Sequence, residues 1–288
     1  MADNLGIRVK RALQDTHGPL WFPELTADLA NAAWIHLERD VGLRPDSYGT
    51  ARLIDRDPSG ARQIEALVSL SSEDSGNRRD IPVELLPSGV ARRWAGPGVR
   101  FLNSDEILGA QDCVQDALRI LDSVPSVGPT ICSLARSLHL FDTGDDEVDR
   151  SFSEPGLLFS IFVSIPGPDS VARELRVAEA ILHEVMHLQL TLVEAFVPLV
   201  GNTEKTYFSP WRDEYRTAQG VLHALYVFRL IDAFMGALSL DGPSYVASSR
   251  HAQARREMIA HQVQEISEFR DCTDLTDDGV AFVERLLS

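Results

Sequence analysis

The sequence predicts a predominantly α-helical fold with a small β-sheet beside one long helix. Three observations carry this. Apolar residues recur at helical spacing over much of the chain, as at Leu25, Leu29, Ala32, Ala33 and His36. The clearest strand is GLLFSIFVSIPG from Gly156, a short apolar run stopped by Pro166 and Gly167. A helical pattern follows directly, from Val171 to about Val197, with Ser170 placed to cap it and Pro198 to end it.

The remaining elements read in order as follows. Residues 1–40 are helical, and residues 41–57 are rich in turn formers. A helical stretch runs from about Ala61 to Leu70, followed by the polar loop SSEDSGNRRD from Ser71 to Asp80. IPVELLP and VRFLN read as short strands. Ser104, Ile107 and Leu108 start a helix that runs to about Leu121 and is broken by Pro125, Gly128 and Pro129. A short helix from Thr130 to Leu140 is expected next. After the metal-motif helix comes the polar stretch GNTEKTYFSPWRDEYRTAQG, then a very apolar helix from about Ala218 to Leu238. An amphipathic helix covers about Tyr245 to Arg270, and a last one follows Thr276.

No internal repeat is visible. The chain of 288 residues is long enough for one large domain or two small ones. A boundary, if the chain has one, falls in the acidic loop from Asp142 to Arg150. That gives a mainly helical N-terminal part, 1–141, and a metal-binding part, 151–288, unless the two form one continuous domain. The carboxylates of DTGDDEVDR invite a calcium reading, but they lack the DxDxDG run with a later Glu of an EF-hand. A solvated loop is the better reading.

Composition narrows the function. With 44% hydrophobic and 24% charged residues, the chain is a folded globular protein. Its net charge of -16, from 27 basic against 43 acidic side chains, repels phosphate backbones and anionic lipid. Nucleic acid and membrane are therefore not expected partners, and a basic or neutral peptide is compatible. Cys113, Cys132 and Cys272 have no CxxC spacing, which argues against a thiolate metal site or a disulfide framework. The start, MADNLGIRVK, has no apolar signal region, and the segment from Val221 carries His223, Arg229 and Asp232. A cytoplasmic location is expected.

His183-Glu184-Val185-Met186-His187 forms an HExxH motif. On a helix, positions i and i+4 share a face one turn apart, so both imidazoles can reach one ion. A third ligand is needed. Glu194 lies about 10 Å farther along the same helix, too far for a shared ion. The pattern HExxHxxGxxH is absent. His223 is the best candidate, because an ionisable group in so apolar a helix calls for a reason. His251 and His261 are weaker, and Asp213 or Glu214 would give a two-histidine, one-carboxylate set. From these residues alone, a zinc hydrolase with Glu184 as general base is the first reading.

The stretches LHEVMHLQLTLVEAFVPL and YFSPWRDEYRTAQGVLHALYVF, with SFSEPGLLFSIFVS before them, resemble an actinobacterial HExxH-domain family. That family is associated with ribosomally made, modified peptides. The likeness covers about residues 150–235 and rests on HExxH together with Trp211-Arg212, Arg216, Gly220 and His223. Some members are iron(II)/2-oxoglutarate enzymes that hydroxylate side-chain β-carbons of peptides. The resemblance thus implies iron at His183 and His187, with His223 as third ligand. It implies 2-oxoglutarate and O₂ as co-substrates, and a peptide or amino-acid-derived substrate. Glu214-Tyr215 departs from relatives that carry a proline before the second arginine.

The distal carboxylate of 2-oxoglutarate wants a bidentate guanidinium, a need that Arg212 or Arg216 meets. Trp211 and Tyr207 are placed to wall such a pocket. In this reading Glu184 orders a water or orients a ligand. The alternatives are a zinc metallopeptidase with Glu184 as base, and a non-catalytic peptide-binding protein with a structural metal. Substrate identity and oligomeric state stay open.

Overall fold

The structure, a computed structural model, describes residues 2–41, 63–71, 78–86, 91–92, 94–153, 159–201, 205–239 and 246–288. It is predominantly α-helical with a small mixed sheet and a separate two-stranded hairpin. The chain divides into two compact units: residues 30–188, and residues 1–29 with 189–288. The acidic loop lies between strands of one sheet inside the first of these, so it is not where the units divide.

The unit of residues 30–188 is built on a sheet. Strands β1 (Gln63–Ser71), β2 (Arg78–Leu85), β4 (Ser137–Asp142), β6 (Ser160–Ser164) and β5 (Ser151–Ser153) lie in that order, and β3 (Arg100–Phe101) pairs with β4. β4 and β6 run parallel, with Leu138 opposite Ile161 and Leu140 opposite Val163. Every residue of β6, and all of β4 but Asp142, is buried, as expected of central strands covered on both faces. Phe141 and Phe162 pack with Leu86, and Trp94, Phe101 and Phe152 close around them.

Helix α3 (Ser104–Asp122) lies against β1. Asn103 caps it, and Glu106 returns a bond to the Asn103 N–H, a full capping box. Its Gln115 side chain accepts from the Ser69 N–H at 2.9 Å and donates to the Ser69 carbonyl at 2.8 Å. One side-chain amide thus takes the place of a neighbouring strand at the outer edge of β1.

One expected helix is a strand, and another gives way to a strand partway along. The expected helix over 61–70 is β1 from Gln63 onward, and residues 61 and 62 lie outside the described residues. Ala66, Val68 and Leu70 are buried while Leu67 is half exposed, so the true period is 2. The expected helix over Thr130–Leu140 ends early: α4 spans Val127–Leu134, and β4 begins at Ser137. A strand buried on both faces shows no alternation, and nothing in SLHLFD marks the change. The turn-rich segment expected at 41–57 falls almost wholly outside the described residues. Of the loop expected over Ser71–Asp80, Ser71 belongs to β1 and Arg78–Asp80 to β2, while residues 72–77 lie outside the described residues.

The unit of residues 1–29 and 189–288 is helical. α1 (Ala2–Gln14) and the start of α2 (Pro23–Val41) meet α6 (Ala218–Ala237), α7 (Val246–Glu265), a 3₁₀ turn (Ser267–Asp271) and α8 (Asp277–Leu287). The single helical stretch expected over residues 1–40 is thus two helices. The Tyr226 hydroxyl donates to the Gln189 side-chain oxygen at 2.6 Å. The Gln189 amide donates to the Thr26 hydroxyl at 2.6 Å and the Trp21 carbonyl at 2.8 Å. Arg285 donates to the carbonyls of Ala12 and Gly18, fastening the chain start to the chain end. Gly279 is required: a Cβ there would come within 2.0 Å of the Leu199 carbonyl oxygen. Among the described residues α6 alone is long and apolar enough to cross a membrane, and 56% of its apolar window is buried within the protein.

Candidate metal centre

Helix α5 (Arg173–Glu194) carries the motif. It starts two residues later than expected, after Ala172 at a positive φ of 51°. The Ser170 hydroxyl is buried without a hydrogen-bond partner, so it does not supply the expected cap. Arg176 instead secures the helix start. It donates to the Asp149 carboxylate at 2.8 Å and to the Asp146 carbonyl at 2.6 Å. The Gly167 N–H donates to the Asp146 side chain at 2.7 Å. The acidic loop is therefore pinned to α5, and it leads straight into β5.

From Ile181 to Leu190 every side chain is buried except those of His183 and His187, which are half-buried. Over this stretch the helix opens only at this pair. The two Nε2 atoms lie 3.1 Å apart, and the rings meet edge to face. Two imidazole nitrogens take such a spacing when each sits about 2.1 Å from one shared ion. The same spacing suits a hydrogen bond from a protonated to a bare nitrogen. The pair therefore fits as part of a metal site. Among the described residues no group of three or more His, Cys, Asp or Glu side chains is arranged to hold an ion.

Glu184, one residue on, is turned about 100° round the helix axis. Its side chain is 5% exposed. Ser151 Oγ donates to Oε1 at 2.7 Å, and Ser153 Oγ donates to Oε2 at 3.0 Å. Residues i and i+2 of a strand share a face, so β5 offers both hydroxyls together while Phe152 packs on the other side against Phe162. Oε1 also lies 3.9 Å from His183 Nε2.

The other expected site residues lie in the second unit. His223, half-buried on α6, has its Nε2 2.8 Å from Glu194 Oε2, and Gln219 donates to the same oxygen at 3.0 Å. The stretch 206–217, in which no element was expected, is a hairpin of β7 (Thr206–Ser209) and β8 (Glu214–Thr217). Its turn carries Asp213 at a positive φ of 51°. Trp211 stacks on Phe228 at 5.2 Å. Tyr207 packs edge-on against Phe269, and desolvation with hydrogen bonds to Cys272 and Asp274 raises its phenol above the usual range. Both aromatic side chains thus have packing partners of their own.

Arg216 lies 3.5 Å from Glu214 and covers Gly220. Arg212 is exposed at the turn, and its side chain makes no ion pair among the described residues. Asp213 and Glu214 are exposed as well. His261 pairs with Glu265 on the surface of α7.

No family model and no curated protein matches the chain. The site is therefore read from its own geometry. Ser151 and Ser153 are the residues the sequence reading passed over. Their signal was present in SFS, two hydroxyls at strand spacing ahead of an HExxH helix, but their target becomes visible only once β5 is paired with β6.

Proposed function

We propose that the protein is a non-haem iron(II)/2-oxoglutarate-dependent oxygenase. It hydroxylates an unactivated carbon, a side-chain β-carbon, of a peptide or amino-acid-derived substrate. The observation that carries this over a zinc peptidase is the pair of serine hydroxyls on Glu184. A general base needs a carboxylate oxygen directed at the water it deprotonates. Here both oxygens accept from Ser151 and Ser153, and the side chain is buried. Such a carboxylate suits a positioning role: it fixes the rotation of α5 and with it the two imidazoles.

His183 and His187 would hold the iron. Iron(II) and 2-oxoglutarate, when bound, supply the oxidising chemistry together with O₂. His223 enters this reading from the resemblance and its apolar helix. The resemblance also gives the co-substrate carboxylate to Arg212 or Arg216, and Arg212 is the one whose guanidinium is not engaged by a carboxylate. All three cysteines are buried and none forms a disulfide, which accords with a cytoplasmic location.

The test is anaerobic titration of the iron(II)-loaded protein with 2-oxoglutarate. A visible charge-transfer band is expected, and Arg212→Leu should raise the concentration needed for half-development about tenfold. Absence of the band at millimolar co-substrate, with iron confirmed bound, overturns the oxygenase. Zinc-dependent peptide cleavage without O₂, abolished in Glu184→Gln, would establish the hydrolase instead.

A further inference from the structure

Within the unit of residues 1–29 and 189–288, a cleft of about 410 Å³ lies between the end of α5 and the start of α6. Glu194 and Gln219 stand on its wall, facing the loop that carries Leu199 and Gly201. Both contacts to Glu194 fall on one oxygen: Gln219 Nε2 and His223 Nε2 meet Oε2 at 3.0 and 2.8 Å. Oε1 accepts no hydrogen bond among the described residues, and neither does the Gln219 carbonyl oxygen. The wall therefore presents two acceptors, Glu194 Oε1 and the Gln219 carbonyl oxygen, that no donor among the described residues fills. Among the described residues no Lys or Arg lines the cleft.

The opposite wall is held in place. The Gly201 N–H donates to the Asp274 carbonyl at 2.7 Å. The Thr276 N–H donates to the Leu199 carbonyl at 3.0 Å, and its hydroxyl to the Pro198 carbonyl at 2.9 Å. Gly279 seats under Leu199. A cleft whose walls are fixed before binding loses little to ordering when it is filled. The net charge of -16 adds a long-range field that favours cations.

We propose that this cleft binds a cationic nitrogen headgroup, an ammonium or a guanidinium, through Glu194 Oε1 and the Gln219 carbonyl. Such a headgroup brings three to five N–H donors and no acceptor, the complement of what the wall offers. The backbone N–H groups of the first turn of α6 work against the cation, but Glu194 carries a full charge against their partial one. The inference is independent of the oxygenase reading.

Calorimetric titration of the full chain tests it. The probes are agmatine and the blocked tripeptide acetyl-Gly-Arg-Gly-amide. The controls are the citrulline tripeptide, which has the same shape without charge, and acetate. At least one cationic probe should bind, and the citrulline peptide should bind about tenfold more weakly or not at all. Tighter agmatine points to a free amine as the natural ligand, and a tighter tripeptide to a basic peptide side chain. Glu194→Gln should weaken the cationic probe about tenfold or more. Gln219→Arg, on an exposed position, places a competing guanidinium in the cleft and should do the same, which keeps the test decisive if Glu194→Gln folds poorly. Failure of both cationic probes, equal binding of the citrulline peptide, acetate binding in their place, or Gln219→Arg behaving as wild type overturns the proposal.

Discussion

Replacing Ser151 and Ser153 with alanine removes both donors to Glu184 and tests whether its carboxylate is held by them. The bonds are 2.7 and 3.0 Å long and end on a side chain that is 5% exposed. A hydrogen bond to a charged group contributes about 1.5–3 kcal/mol, and a buried acceptor left without a partner costs about as much again. Water entering the space left by two hydroxyls recovers part of that, so the double variant should lose about 3 kcal/mol. A double-mutant cycle sharpens the test. Glu184→Gln keeps the shape and removes the charge, so the serine deletions should cost less in the Glu184→Gln background. A coupling of about 2 kcal/mol is expected, because only an ionised carboxylate suffers fully from losing its donors. Urea denaturation followed by circular dichroism measures all four proteins, with the midpoints compared at a common slope. If the double serine variant loses under about 1 kcal/mol, or loses equally in both backgrounds, the hydroxyls do not hold the glutamate and the case against the general base fails.

His183→Ala and His187→Ala should each abolish tight iron binding with the helical circular dichroism retained, and unchanged iron content in both variants excludes the pair as ligands. His223→Ala should lower iron affinity by about tenfold to a hundredfold if His223 belongs to the set, and iron content equal to wild type moves the third donor elsewhere. Gln189→Leu removes three buried hydrogen bonds, those with the Tyr226 and Thr26 hydroxyls and the Trp21 carbonyl, and should cost about 2 kcal/mol, read by urea unfolding; a loss below about 0.5 kcal/mol would show that the remaining bonds, such as Tyr226 to the Leu20 carbonyl, serve these groups fully. Burial pushes the Cys113 thiol up to about 11 from 9.0. The folded protein therefore keeps this proton where the unfolded chain has lost it, so its contribution is whole below about pH 9 and falls away as pH rises toward 11. Cys113→Ala should flatten that part of the stability profile, and an unchanged slope refutes the assignment.

The helices with one apolar face were legible in the sequence, because burial on one side imposes the 3.6-residue period. So were the HExxH helix, the apolar helix α6 and the start of α8 after Thr276. The strands that escaped did so for two different reasons. β1 has the right alternation over Ala66–Leu70, but the run is too short to outweigh its helix-forming residues. β4 is buried on both faces and so has no period to read. The hairpin of β7 and β8 was hidden by its exposure: half of β7 and three of the four residues of β8 are exposed.

The site divides in the same way. The imidazole pair follows from i, i+4 spacing alone, since one helix fixes it. The Glu184 contacts need β5 to be placed by β6, by the pinned acidic loop and by Arg176, none of which is local to the motif. The bond between His223 and Glu194 joins two helices and was equally out of reach.

The division of the chain sets an order of events during synthesis. Residues 30–188 form one compact unit continuous in sequence, so this part can fold as it leaves the ribosome. Residues 1–29 emerge first, but the groups that fix them come last: Tyr226 donates to the Leu20 carbonyl, and Arg285 to Ala12 and Gly18. At about 5–20 residues per second, α1 waits on the order of ten seconds or more, with the apolar face of Val9 and Leu13 uncovered. For that interval the nascent chain presents a sticky amphipathic segment, and a chaperone or a neighbouring chain meets it before Arg285 does.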